Sequence, residues 1–169
     1  IGISKKPVRQ AHEKKQWDNA IPDESYFKEL FRVSKNQIIW GGNYFLDYLG
    51  NTQGFLIWDK KQPHDFSLAM CEMAWMSIQK PAKIFTYSVL GETGKQHPTQ
   101  KPVKLYEWLL TNYAKKGQKI LDTHLGSGSS AIAAHYFGVD FVGCELDKDY
   151  FDAAKARFDM ATKQLAMSI

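Results

Sequence analysis

The segment Leu121-Asp122-Thr123-His124-Leu125-Gly126-Ser127-Gly128-Ser129-Ser130, with Glu145 closing the next apolar run, constrains this chain more than any other. Residues 119–121 read as a strand that ends on an acid, then pass through small residues into a helix opening, Ser129-Ser130-Ala131-Ile132-Ala133-Ala134. Gly126 and Gly128 permit a left-handed backbone and close approach of a ligand. The first free N–H groups of the helix point at whatever sits above the loop. A second strand over 140–144 delivers Glu145 to the same end of the sheet, where a carboxylate accepts both hydroxyls of a ribose. Such a unit is a cradle for an adenosine-containing cofactor.

Which cofactor is a matter of the flanking residues. Gly126-x-Gly128-x-x-Ala131, with an acid roughly 20 residues on, meets the dinucleotide fingerprint, so a nicotinamide enzyme stands as one alternative. Two features point elsewhere. Asp122 at the strand end offers an acceptor to an ammonium group, which a sulfonium donor carries and a pyrophosphate lacks. An unusual segment, His97-Pro98-Thr99-Gln100-Lys101-Pro102, also precedes the whole unit.

The rest of the chain alternates in period. Tyr26, Phe27, Leu30 and Phe31 recur at helical spacing behind Asp23, which predicts a capped helix over 24–32, and a short apolar strand follows over 37–40. Residues 54–58 and 83–89 read as further strands, whereas 66–78 are of mixed character and support no assignment. Pro102 suits the first turn of a helix carrying Leu105, Trp108 and Leu109, and Gly117 suits its C-terminal cap. A last helix is predicted over 147–161, with Tyr150, Ala154 and Phe158 on one face. Alternation of this kind predicts an α/β fold: a single-domain, Rossmann-like, mostly parallel sheet with helices on both faces. The five tryptophans are expected in its core.

A chain of 169 residues with 44% hydrophobic side chains supports one substantial core, so 1–169 is read as one domain. It holds no run of about 18 apolar residues and no charged-then-apolar leader. Cys71 and Cys144 lie in apolar contexts far apart, which reads as reduced, buried thiols in a cytoplasmic protein, and no metal site is expected. The net charge is only +4, but Lys5, Lys6, Arg9, Lys14 and Lys15 crowd one polar segment. That segment reads as a loop suited to neutralising phosphates, against the alternative of a solvated charge run without a partner.

Taken in order, His97 to Pro102, Leu121 to Ser130 and Glu145-Leu146-Asp147 resemble the consecutive motifs of the DNA amino-methyltransferases, which methylate adenine at N6 or cytosine at N4. Trp17-Asp18, Trp40-Gly41-Gly42-Asn43-Tyr44-Phe45 and Ile57-Trp58-Asp59-Lys60 extend the resemblance over most of the chain. It implies S-adenosyl-L-methionine as cofactor and double-stranded DNA as partner, with a homodimer as a further candidate. The order of the motifs resembles the permuted branch, in which the cofactor half comes last, here 97–169 after a catalytic and DNA-facing half, 1–96. The implied cofactor residues are Gln100, Lys101, Asp122, Thr123, His124, Leu125, Gly126, Ser127, Gly128, Ser129, Glu145 and Leu146. Adenine N6 is the favoured target.

The sequence departs from that family in one respect. The family's Asp-Pro-Pro-Tyr or Ser-Pro-Pro-Tyr motif, which holds the target amino group, does not occur, and in relatives a pair like Ile1-Gly2 follows it directly. The expectation is a sequence that begins just downstream of that motif, with no catalytic residue to be named. The segment that reads the DNA sequence is also short, since only 90–96 separate the strand over 83–89 from His97. A nicotinamide dehydrogenase and a non-catalytic DNA-binding protein are the rival readings.

Overall fold

The computed structural model describes residues 21–63, 69–89 and 99–163. The chain begins there with α1 (Glu24–Val33), whose cap is Asp23: its carboxylate accepts the Tyr26 N–H at 3.1 Å. Phe27 is the buried residue of this helix and packs with Leu49 and Trp75, flanked by Ile39 and Phe45. β1 (Ile38–Trp40), a single 3-10 turn and the one-turn α2 (Leu46–Leu49) lead into β2 (Phe55–Asp59), β3 (Cys71–Met76) and β4 (Lys83–Thr86). The second half runs α3 (Val103–Tyr113), β5 (Lys119–Asp122), α4 (Ser129–Phe137), β6 (Asp140–Gly143) and α5 (Lys148–Lys163).

The strands form two sheets, one ordered β1-β3-β2-β4 and one pairing β5 with β6. The α3 helix joins them. Its Leu109 packs with Leu56, Ala74 and Met76 of the first sheet, while Leu110 packs with Ala133 and Ala134 of α4, beside Ile120 and Phe141 of the second. Each such apolar side chain taken from water contributes roughly 1.5–3 kcal/mol, so α3 holds the halves together through both faces. Trp58 and Trp75 are buried as expected of tryptophans, and Trp40 and Trp108 pack at the edge of the same core. Trp17 lies outside the described residues.

The α/β class is as the sequence predicts, and the β5-β6 sheet is parallel, but the four-stranded sheet is mixed rather than mostly parallel. β2 pairs parallel with β4 and β5 with β6, whereas β3 runs antiparallel to both β1 and β2. The reason is β3 itself, which falls in the stretch the sequence left unassigned and returns from β2 without a helical crossover among the described residues. Two smaller expectations are also corrected. Gly117 does not cap α3: the helix stops at Ala114, and Gly117, at φ +83°, turns the chain into β5. Both thiols are exposed and free, because Cys71 opens β3 and Cys144 follows the end of β6, where strand ends meet solvent. Among the described residues no helix is long and apolar enough to cross a membrane.

Candidate functional site

The loop after β5 is held by two carboxylates. Asp122, the last residue of β5, accepts the His124 N–H on Oδ1 at 3.0 Å and the Ser130 hydroxyl on Oδ2 at 2.5 Å. Its acid thus ties the strand end to the first turn of α4. Glu145, just beyond β6, accepts the Gly126 N–H on Oε2 at 2.8 Å and the Asp147 N–H on Oε1 at 3.0 Å. Backbone bonds complete the frame: the Cys144 N–H donates to the Asp122 carbonyl and the Leu125 N–H to the Cys144 carbonyl. The parallel pairing of Asp122 with Gly143 is what brings the two acids to one end of the small sheet.

Gly126 and Gly128 both take left-handed backbone, at φ +52° and +74°, as the turn requires. A side chain at Gly128 would also meet α5, since a Cβ there lies 3.2 Å from the Ala154 carbonyl oxygen. Ser127 and Ser129 are buried, and their polar atoms face α5. Arg157 donates to the Ser127 carbonyl and the Ser129 hydroxyl, each at 2.8 Å, with the Ser127 hydroxyl at 3.3 Å. These two hydroxyls therefore brace the loop from behind. Arg157 is a site residue that sequence reasoning missed; its one signal is a cation between Ala154 and Phe158, on the face of α5 that packs inward.

Thr123 and His124 are met by α1. The Thr123 hydroxyl lies 2.8 Å from the Tyr26 hydroxyl and 3.0 Å from His124 Nδ1, and the Tyr26 ring stands edge-on to His124 at 5.7 Å. Nothing in the helical spacing of Tyr26 marks it for this contact. Leu125 turns away from the polar frame and lines an apolar crevice of about 310 Å³ with Ala131, Phe141, Ala154 and Phe158. Gly128 also lines that crevice, which therefore adjoins the loop, whereas Asp122 and Glu145 do not border it. Leu146, next to Glu145, is 100% exposed.

Lys101 reaches the other sheet. Lys101 pairs with Glu72 of β3 at 3.0 Å, and Lys60 pairs with the same carboxylate at 2.7 Å. Burial pushes the Glu72 carboxyl up, but Lys101 and then Lys60 outweigh it and hold it below its ordinary value. Burial pushes the hydroxyl of Tyr106, on α3, well above its usual range, with the Asp122 and Glu72 carboxylates adding to that. The five basic residues Lys5, Lys6, Arg9, Lys14 and Lys15 lie outside the described residues, as do His97 and Pro98.

The loop, its two acids and the exposed Leu146 make a rim of carboxylate oxygens, small loop residues and one uncovered apolar side chain. That set fits a nucleoside with a charged tail. The model of the DNA methylase family matches residues 4–156. The Type II methyltransferase M2.DpnII of Streptococcus pneumoniae is 29% identical over 145 residues, 81% of this chain and 53% of that protein. Type II methyltransferase M.HpaI of Haemophilus parainfluenzae is 24% identical over 151 residues, covering 78% and 47%. The chain thus spans about half the length of the curated relatives it matches. Among solved structures, the M1.HpyAVI-SAM complex superposes with a TM-score of 0.65 at 22% identity, over 80% of this chain and 81% of that one. The PvuII cytosine-N4-specific DNA methyltransferase gives 0.59 at 13% identity, over 93% and 81%. At these identities the structures speak for the fold. The match across 4–156 decides the family: the chain belongs to the DNA methylases, the amino-methyltransferases that its motifs resemble.

Proposed function

We propose that this protein transfers a methyl group from S-adenosyl-L-methionine to the exocyclic amino group of a base in DNA, with adenine N6 as the favoured target. The observation that carries the reading is the pair Glu145 and Leu146 beside the glycine loop, in a chain of the DNA methylase family. Each carboxylate oxygen of Glu145 and Asp122 accepts one donor within the protein and keeps a second lone pair. The residues therefore fit the cofactor without breaking the loop.

When bound, the cofactor supplies a methyl group already activated by the adjacent sulfonium charge. The protein's part is then to bind, orient and exclude water. Glu145 takes the ribose hydroxyls, and Asp122 takes the methionine ammonium directly or through water. The loop from Thr123 to Ser129 surrounds the methionine moiety, Leu146 covers the nucleobase, and the segment of Gln100 and Lys101 closes the other side. A base inside a duplex presents its amino group out of line with such a site, so it is rotated out at a cost of a few kcal/mol. Lys5, Lys6, Arg9, Lys14 and Lys15 are assigned to the phosphates, which makes DNA affinity fall with salt.

The test is twofold. Calorimetric titration of the full-length protein is expected to show binding of S-adenosylhomocysteine and none of NAD; the reverse result overturns the reading. Mass spectrometry of nucleosides from treated DNA is expected to yield N6-methyladenine. Cytosine N4 is the second reading, supported by the fold shared with the PvuII enzyme, and N4-methylcytosine in that digest would establish it instead. Leu146→Ala offers a clean probe because the side chain is fully exposed. Losing a stacked leucine of roughly 1.5 kcal/mol predicts about tenfold weaker S-adenosylhomocysteine binding with the melting temperature unchanged. Unchanged affinity would remove Leu146 from the site.

A further inference from the structure

Glu72 sits on β3 opposite Trp58 of β2 and gathers two lysines from separate parts of the chain. Lys60 follows β2 and reaches Oε1; Lys101 precedes α3 and reaches Oε2. The two lysine side chains are only 16% and 15% exposed. Each ammonium also faces an indole, Lys60 over Trp58 at 5.2 Å and Lys101 over Trp40 at 5.6 Å. A cation so far removed from water needs an opposite charge, and among the described residues Glu72 is the carboxylate that supplies it to both. The arrangement has a consequence for the cofactor segment. Lys101 is flanked by Gln100 and by Pro102, which is buried and caps α3, so anchoring the ammonium restrains the backbone of the neighbouring Gln100 as well.

We propose that Glu72 is a positioning residue which, by clamping Lys101 across the sheet, holds the segment 99–102 in place to contact S-adenosyl-L-methionine. Lys101 acts through this clamp rather than by touching the ligand. The inference rests on the cofactor assignment above. It separates the two arms of the cluster: the Lys101 arm carries the effect, and the Lys60 arm only shares the charge.

The experiment is titration of the full-length protein with S-adenosylhomocysteine, for wild type, Glu72→Gln, Lys101→Met, the double variant and Lys60→Met, each well below its melting temperature. Glu72→Gln and Lys101→Met are each expected to raise Kd about tenfold, and the double variant no further, because both break one link. In turnover, KM for the cofactor rises in Glu72→Gln while its kcat and KM for DNA stay within twofold. Lys60→Met, which leaves the Lys101 pair intact, is expected to bind within twofold of wild type, and it keeps the test decisive if Glu72→Gln does not fold. Wild-type affinity in Glu72→Gln, multiplied losses in the double variant, or an equal loss in Lys60→Met overturns the proposal. A wild-type protein that binds NAD and not S-adenosylhomocysteine overturns the cofactor assignment itself.

Discussion

Glu145→Ala is expected to weaken S-adenosylhomocysteine binding by about a hundredfold. The carboxylate accepts the Gly126 N–H at 2.8 Å and the Asp147 N–H at 3.0 Å, and in the proposed complex it also receives the ribose hydroxyls. A hydrogen bond to a charged group contributes roughly 1.5–3 kcal/mol, so loss of the ribose contacts alone accounts for tenfold or more. The rest comes from the loop, because Gly126 loses the acceptor that holds its N–H. Stability should fall much less, by about 1 kcal/mol, since Asp147 still caps α5 through the N–H groups of Asp149 and Tyr150. Glu145→Gln keeps one carbonyl acceptor but turns an NH₂ toward the other donor, and an intermediate loss is expected. Calorimetry on the three proteins decides the matter. Affinity in Glu145→Ala within threefold of wild type would take the ribose assignment away.

The loop and its acids were legible because their signals are local. Strand, small residues, helix and the next strand follow within about thirty positions, and the parallel pairing of β5 with β6 carries Glu145 to Asp122 without help from the rest of the chain. β3 was illegible for the opposite reason. It lies between β1 and β2, and its last three residues, Ala74, Trp75 and Met76, are all buried, so the alternation that marks a half-exposed strand is missing. Glu72, Tyr26 and Arg157 were missed because each meets the site across long stretches of sequence, where charge and helical spacing name no partner. Lys101 was read as a cofactor residue from its motif, and only the fold reveals its pairing with Glu72. The buried placement of the cysteines failed on strand ends, where apolar neighbours in sequence do not imply cover in space.

Three glycines with left-handed backbone separate strain from crowding, and the second large effect is expected at one of them. At Gly117, φ +83°, an added Cβ meets nothing within 4 Å. Gly117→Ala should therefore cost only the left-handed strain of an L residue, about 1–2 kcal/mol, and leave cofactor affinity alone. Gly138, φ +78°, is equally open and should respond likewise. Gly128 has the same kind of backbone, but its Cβ would stand 3.2 Å from the Ala154 carbonyl oxygen and 3.3 Å from the Ala154 Cβ. Main chain of a long packed helix gives way poorly, and overpacking of this sort adds about 1–3 kcal/mol. Gly128→Ala is accordingly expected to lower unfolding free energy by about 2–5 kcal/mol in a urea titration. Relief requires either α5 or the loop to shift. The Gly128 carbonyl starts the hydrogen bonding of α4 and its N–H closes the turn on Leu125, so a shifted loop also displaces the Gly126 N–H from Glu145. More than tenfold loss of S-adenosylhomocysteine affinity should accompany the instability at Gly128, but not at Gly117 or Gly138. Equal losses at all three positions would mean that backbone strain alone sets the behaviour of the loop, and that its contact with Ala154 does not matter.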